Sequence, residues 1–139
     1  MTEGQPHELE PVYLTLEDIL ELHGLIIGGT ATLAKDQLRN LDGLQSVLGR
    51  PGAYAHYEVA DLALQAAVLA HGIAEGQPFV DRNKRTALVA MLAFVEINGF
   101  RIEASDRELA DWILSLSAGT TPSQLAELIR SALRSVMLR

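Results

Sequence analysis

The segment from residue 76 to residue 95 constrains the fold of this chain more than any other stretch. Its first part, residues 76–86, mixes cationic, anionic and polar side chains, whereas its second part, residues 87–95, is an unbroken apolar run. A helix that is hydrophobic on every face has to be buried, so the second part predicts a central core helix. The charged first part is therefore expected to form a site at the entrance to that helix.

The start of such a helix favours a bound anion. Its first N–H groups have no acceptor within the helix, and the helix dipole adds positive potential there. Arg82, Lys84 and Arg85 place three cations beside a helix start near Asn83, in a chain whose net charge is −7. Asp81 is the carboxylate among them, a suitable ligand for Mg²⁺ that bridges phosphate oxygens. We interpret the segment as a phosphate-binding loop; the alternative is a solvated connector between helices.

The order of residues in this loop resembles the signature of the Fic/Doc family, and specifically of its death-on-curing (Doc) branch. The signature reads His-Pro-Phe-x-Asp-Gly-Asn-Lys-Arg-Thr-Ala-Leu, and residues 77–88 of this chain read QPFVDRNKRTAL. Residues 13–19, YLTLEDI, and residues 94–100, FVEINGF, are similar to the flanks of Doc proteins. The resemblance extends from about residue 12 to the C-terminus, which makes it specific.

Two positions depart from the signature. Arg82 stands where the family has a small residue, usually glycine, and its bulk and charge either tighten anion binding or block the entrance. Gln77 stands where the family has the histidine that takes the proton from the attacking hydroxyl. A carboxamide does not titrate near pH 7, so the rate is expected to fall by roughly 10²- to 10⁴-fold. His71 is interpreted as a core residue, with replacement of the missing base as the alternative.

The resemblance implies that ATP and Mg²⁺ bind at this loop, with Asp81 as the metal ligand. The implied catalytic positions are Gln77, Asp81 and Arg85. The implied nucleotide contacts are Phe79, Asp81, Arg82, Asn83, Lys84 and Arg85. Lys84 occupies the position where AMP-transferring Fic proteins have glycine, and in the Doc branch lysine there is linked to transfer of the terminal phosphate.

Two functions of different classes follow from the resemblance. The first is a Doc-type toxin of a toxin–antitoxin module, a kinase that phosphorylates a hydroxyl of a target protein and is weakened or silenced by Gln77. Its expected target is a translation elongation factor, and its expected partner is an antitoxin of the Phd type. The second is a non-catalytic pseudoenzyme that keeps the fold in order to bind a partner or regulator. Transfer of AMP is a further alternative.

Length and helix signals predict a single all-α domain of about six helices. The chain has 139 residues, 48% of them hydrophobic, which is enough for one compact core. Residues 12–139 are assigned to a Fic/Doc-like domain, and residues 1–11 to a flexible leader. The chain has no cysteine, and its four histidines are scattered, so neither a disulfide nor a structural zinc site is expected.

Charge and hydropathy exclude other classes of function. The N-terminus lacks the parts of a signal peptide, and no apolar run is long enough to span a bilayer. A cytoplasmic protein without a membrane partner is therefore expected. Eighteen acidic residues against eleven basic ones argue against direct binding of nucleic acid.

Local signals predict where most of the helices begin and end. Capping boxes at Thr15, Ser105 and Thr121 each open a helix, and the last of these is expected to continue through Val136. Arg130, Arg134 and Arg139 are expected to face the negative end of that last helix.

The helices around the loop are predicted from hydrophobic pattern. Residues 58–74 and 83–98 are expected to form a buried antiparallel pair, with Gly76 ending the first helix. A short helix at residues 42–48 is expected to stop at the breaker cluster GRPG that follows it. Residues 30–40 are compatible with either a mobile segment or a short helix.

Overall fold

Seven helices and one two-stranded sheet form the described part of the chain, residues 10–136, in this computed structural model. The predicted all-α class is confirmed. In chain order the elements are α1 (Leu16–Ile26), α2 (Ala31–Asp36), α3 (Leu41–Tyr57), α4 (Leu62–Gly76), α5 (Asn83–Ile97), β1 (Phe100–Ile102), α6 (Asp106–Ser117), α7 (Pro122–Ala132) and β2 (Leu133–Ser135). The helix beyond the predicted six is α2, and it lies where the sequence allows either a mobile segment or a short helix.

Two of the sequence predictions fall outside the described residues. Residues 1–9 of the predicted leader, residues 1–11, are among them, and so is Arg139. Within residues 10–136, no helix combines the length and the apolar character needed to cross a bilayer.

All three predicted capping boxes are formed. At the start of α1, Asp18 N donates to Thr15 Oγ1 at 3.1 Å, and Thr15 N donates to Asp18 Oδ2 at 2.9 Å. The same reciprocal pair of bonds opens α6 at Ser105 and α7 at Thr121. Each box satisfies N–H groups that would otherwise lack a partner, so three helix starts are set by local sequence alone.

The buried pair of helices lies at the centre of the core. All residues of the apolar run 87–95 on α5 are buried or half-buried. Its partner α4 is covered even more completely, because α3, α5 and α7 all pack against it. The buried residues of α4 are mostly small: Ala63, Gln65, Ala66, Ala67, Val68, Leu69, Ala70, Gly72, Ile73 and Ala74. Small side chains let the neighbouring helices approach closely.

The prediction that the helix near residue 42 stops at GRPG is wrong, because α3 continues through Pro51. Proline inside a helix removes one hydrogen bond and costs about 3 kcal/mol. Tertiary packing offsets this cost, since Leu44, Val47 and Pro51 are all buried. The approach to α4 is close: a Cβ atom at Gly72 would lie 2.6 Å from Val47 Cγ1.

The end of the chain departs furthest from the prediction. The last helix does not reach Val136 but ends at Ala132, and the next residues form β2. β2 pairs antiparallel with β1, so that Arg134 lies opposite Arg101. Arg134 lies two residues beyond α7 but still serves the helix end as predicted, since its Nη1 donates to Ser131 O at 3.1 Å. Its Nε also lies 3.1 Å from Glu103 Oε1. Two three-residue strands so far apart in sequence carry no local signal for their pairing.

Asp61 joins the start of α4 to α7. Its Oδ1 accepts from Leu64 N at 3.0 Å and caps α4, which therefore starts later than the predicted residue 58. Arg130 donates from Nε to Oδ2 at 2.7 Å and from Nη2 to Oδ1 at 3.0 Å. These hydrogen bonds from Arg130 hold the pKa of Asp61 below its ordinary value. Arg130 thus lies in the last turn of α7, as predicted, and contacts the carboxylate at the start of another helix.

Asp61→Ala is expected to lower the free energy of unfolding by about 1–2 kcal/mol, because it removes a helix cap together with an ion pair. Arg130→Ala removes only the half-exposed pair and is expected to cost less than about 1 kcal/mol. Urea denaturation at neutral pH measures both, with the exposed Asp111→Ala in the middle of α6 as the control for loss of a carboxylate. Equal losses for the two variants would contradict the capping role of Asp61.

Candidate functional site

The loop of residues 77–82 connects α4 to α5, and its backbone is left-handed at both ends. Gln77 follows α4 with φ of +49°, and Arg82 precedes α5 with φ of +61°. Such a conformation costs about 1 kcal/mol or more for a residue with a Cβ atom. The predicted terminator Gly76 is still helical, because Gln77 N donates to Ile73 O at 3.2 Å and extends the last turn. The turn is made by Gln77 instead.

The segment that follows α2 holds the loop by its backbone. Residues 38 and 79 form an isolated antiparallel bridge. The Arg39 side chain also donates to Gln77 O at 3.1 Å. Three backbone bonds complete the clamp: Arg39 N to Pro78 O at 2.7 Å, Asn40 N to Pro78 O at 3.0 Å, and Val80 N to Gln37 O at 2.9 Å. The loop is thus fixed on one side by α4 and α5 and on the other by this clamp.

Asn83, the first residue of α5, folds the loop onto the helix. Its Oδ1 accepts from Phe79 N at 2.9 Å, and its Nδ2 donates to Phe79 O at 3.0 Å. The carboxamide therefore shapes the loop. The backbone N–H of Asn83 is one of the first donors of α5, which have no acceptor within the helix.

A cavity of about 340 Å³ opens over the loop and the start of α5. Five of the residues predicted to form the site line it: Gln77, Asp81, Arg82, Asn83 and Lys84. Ala74 and Val80 complete the lining. The cavity therefore combines one carboxylate, two cationic side chains and the N-terminal end of α5. This combination attracts an anion, since unpaired N–H groups and the positive charges act in the same direction.

The other two predicted site residues do not line the cavity. Arg85 is exposed on the first turn of α5. Phe79 is fully buried beneath the loop, so its ring supports the loop from the side facing the core.

Asp81 and Arg82 form an ion pair at the cavity. Arg82 Nη1 donates to Asp81 Oδ2 at 2.7 Å, and Arg82 N donates to Asp81 Oδ1 at 2.8 Å. Both oxygens of the carboxylate are thus engaged by the next residue in the chain. The Arg82 and Asp81 side chains are 49% and 65% exposed, so water and ligands reach both groups.

Asp81 suits a metal ion only if phosphate oxygens supply further ligands. Among residues 10–136, no group of three or more His, Cys, Asp or Glu side chains is arranged to hold a metal ion. Within residues 10–136, Asp81 is the only carboxylate that lines the cavity. Mg²⁺ at phosphate sites takes one or two carboxylates and completes its shell with phosphate oxygens and water. Asp81 fits that pattern and would be the protein ligand.

His23 on α1 packs beneath the loop, a role that the sequence analysis did not predict. Its ring is fully buried and stacks on Phe79, with ring centroids 3.8 Å apart and planes 7° apart. Its Nδ1 lies 2.8 Å from Thr86 Oγ1 on the first turn of α5. The available signal was its spacing, since His23 follows Ile19 and Leu20 on the buried stripe of α1.

The hydrogen bonds around Thr86 define the proton position on His23. Thr86 Oγ1 donates its only hydrogen to Arg82 O at 2.8 Å, so it accepts from His23. The proton of the neutral ring is therefore on Nδ1, and Nε2 carries the lone pair. Nε2 has no hydrogen-bond partner among the described residues. Through Thr86, the ring is connected to Arg82, the residue that turns the chain into α5.

Burial lowers the pKa of His23 below its ordinary value. The Gln37 side chain and the charge of Asp81 act against this shift, and the charge of Arg82 adds to it. The ring is therefore held neutral in the folded protein at pH values where an exposed histidine begins to take up a proton.

His71, the alternative candidate for a replacement base, is half-buried on α4. It is absent from the described residues that line the cavity. The geometry therefore gives no support to His71 as a base, and its side chain is only half-buried where a core residue was expected.

Comparison with known proteins identifies the family to which this chain belongs. Residues 13–95, which include α1 to α4, the loop and all but the end of α5, match the Fic/DOC family. The chain belongs to the Fic/Doc family. Over 94 residues it is 33% identical to a protein of Mycolicibacterium smegmatis that is named Toxin Doc; the aligned region covers 66% of this chain and 68% of that protein. This likeness supports the Doc branch of the family.

We expect the stability of the fold to fall as the pH drops below about 6.5, the ordinary pKa of histidine. The pKa of His23 is lowered in the folded state, so the unfolded chain binds the proton more readily, and acid favours unfolding. The stabilisation is complete above the unfolded pKa and is lost towards the lower folded pKa. Urea denaturation between about pH 7.5 and 5.5 measures it, since histidine titrates in this range.

His23→Asn keeps a donor near the position of Nδ1 but does not titrate, so its stability should depend less on pH than that of the wild type. The exposed His56→Asn on α3 serves as the matched control and should keep the wild-type pH dependence. Parallel pH curves for the wild type and His23→Asn would contradict the assignment of a buried neutral ring.

Proposed function

We propose that the protein is a Doc-type toxin that binds ATP with Mg²⁺ in this cavity and transfers the terminal phosphate to a hydroxyl of a target protein. The observation that carries the proposal is the cavity itself: Asp81, Arg82 and Lys84 meet the first N–H groups of α5 in one space that Gln77 also lines. Family membership adds support, because the Fic/Doc family is a family of transferase-type enzymes that generally use ATP.

Each residue of the cavity has a chemical role in this proposal. Lys84 provides a compact positive charge for the phosphates, and Arg85, exposed on the first turn of α5, provides a planar fork for two phosphate oxygens. The N–H groups at Asn83 and beyond it bind the same oxygens. Asp81 would hold Mg²⁺, which neutralises phosphate charge when bound. These groups bind and orient the triphosphate, and such positioning accounts for most of the catalysis of phosphoryl transfer.

Gln77 sets the level of activity in this proposal. Its backbone is held from both sides, since its N donates to Ile73 O and its O accepts from Arg39. The side chain therefore starts from a fixed point and lines the cavity. A carboxamide there orients a hydroxyl by hydrogen bonding but does not remove its proton. Binding of the nucleotide is kept, and the transfer step is slow.

The toxin proposal includes two protein partners. The target is a protein with an accessible hydroxyl, and the expected class is a translation elongation factor. The second partner is an antitoxin of the Phd type, supported by the similarity to a protein named Toxin Doc.

A non-catalytic binding protein is the second candidate, and the observation that favours it is Gln77 in the cavity. For this candidate, growth arrest or partner binding persists when Asp81→Ala and Arg85→Ala are combined. For the toxin, growth arrest is lost in the double variant. Expression in a bacterial host under an inducible promoter separates the two outcomes.

Gln77→His is expected to raise the rate of transfer by roughly 10²- to 10⁴-fold, because it supplies a base that titrates near neutral pH. The measurement is transfer of label from ATP to proteins of a bacterial extract, with label in the γ-phosphate for kinase activity and in the α-phosphate for AMP transfer. The matched control is Gln45→His, the same change at an exposed position of α3. An unchanged rate for Gln77→His would contradict the role assigned to this position.

A further inference from the structure

The carboxylate that would bind the metal already has a cation attached to it. Asp81 Oδ2 lies 2.7 Å from Arg82 Nη1, and Asp81 Oδ1 accepts the backbone N–H of Arg82 at 2.8 Å. A charge-assisted bond of this length lies at the short end of the normal range. The positive charge at Asp81 thus comes from the protein chain itself.

The Arg82 side chain pairs with the residue immediately before it in the chain, and its backbone conformation is part of the reason. Arg82 is in the left-handed conformation at the start of α5 and caps the helix without a side-chain hydrogen bond. Its side chain is therefore free of any capping role and reaches back to the preceding residue. Glycine would adopt the same backbone conformation without strain. The guanidinium is the part of Arg82 that a glycine at this position would not supply.

The pair also lies where a phosphate would bind. Asp81 and Arg82 both line the cavity over the start of α5, next to Lys84. A guanidinium has five N–H donors, so Arg82 is able to keep a bond to Asp81 and still bind phosphate oxygens. A divalent cation placed on Asp81 would in contrast lie beside two positive side chains and be repelled by both.

We propose that Arg82 is a tethered cation that competes with the divalent metal for Asp81 and allows the cavity to bind a nucleoside triphosphate without metal. This inference rests on the proposed nucleotide site. Arg82 takes over part of the charge neutralisation that the metal supplies, and it makes the dependence of binding on Mg²⁺ weak. The metal is not shut out, because the Arg82 side chain is about half exposed and the Asp81 side chain more than half, so the pair exchanges with solvent ions.

Equilibrium binding of ATP tests this role, measured by calorimetry once with Mg²⁺ in excess and once with EDTA. For the wild type we expect the two dissociation constants to agree within about threefold, because the guanidinium replaces much of the charge of the metal. For Arg82→Gly we expect binding without metal to weaken by about tenfold or more, while binding with Mg²⁺ is kept or improved.

Two further variants separate charge from backbone strain. Arg82→Gln keeps a side chain in the left-handed conformation but removes the charge, and it should behave like Arg82→Gly. Arg82→Lys keeps the charge but loses the planar fork of donors, so it should fall between the wild type and Arg82→Gln. Arg107→Gln, on the exposed first turn of α6, changes the net charge of the protein equally and should follow the wild type.

The outcomes distinguish this inference from the function on which it rests. A wild type that binds ATP only when Mg²⁺ is present would overturn the role of Arg82 and leave the proposed function intact. An Arg82→Gln variant with the wild-type ratio of the two constants would overturn it as well. Absence of ATP binding in every variant and condition would overturn both the inference and the proposed function.

Discussion

The packing of α4 against α5 is the contact on which the site depends. Because α4 buries mostly small residues, its neighbours lie close on several sides, as the tight approach of Val47 to Gly72 illustrates. The two helices form a firm support, and the loop between them starts and ends on it. A site that binds a charged ligand needs such a support, since misplaced donors lose much of their binding energy.

This support explains why much of the polar chemistry of the loop serves the loop itself. Asn83 uses its carboxamide to hold Phe79, and Thr86 donates to the carbonyl of Arg82. Once these groups are satisfied, the N–H groups at the start of α5 and the cationic side chains beside them remain for an anion. The loop is therefore organised before any ligand arrives, and the ligand does not have to order it.

His23 shows that the site reaches further than its signature segment. The histidine stands on α1, yet it stacks on the one aromatic ring of the loop and bonds to the first turn of α5. A neutral buried histidine with an unpaired Nε2 costs free energy, which the stacking and the bond to Thr86 offset. The buried His23 ring beneath the loop is thus connected, through hydrogen bonds of Thr86, to Arg82, whose charged side chain lines the cavity.

The sequence by itself determined the elements that depend on neighbouring residues. The capping boxes at Thr15, Ser105 and Thr121, the apolar run of α5 and the start of that helix at Asn83 are all local, and each was predicted correctly. Most of the residues predicted to form the site also line the cavity, since they follow one another at a single helix start.

Only the tertiary structure decided the features whose energy comes from contacts between distant segments. The continuation of α3 through Pro51 depends on burial against α4, and β2 exists because β1 lies beside it. Even the pairing of Asp81 with Arg82, adjacent in sequence, occurs at a left-handed residue that joins the loop to α5. Local propensity contains none of these contact energies, so no pattern in the sequence was able to predict them.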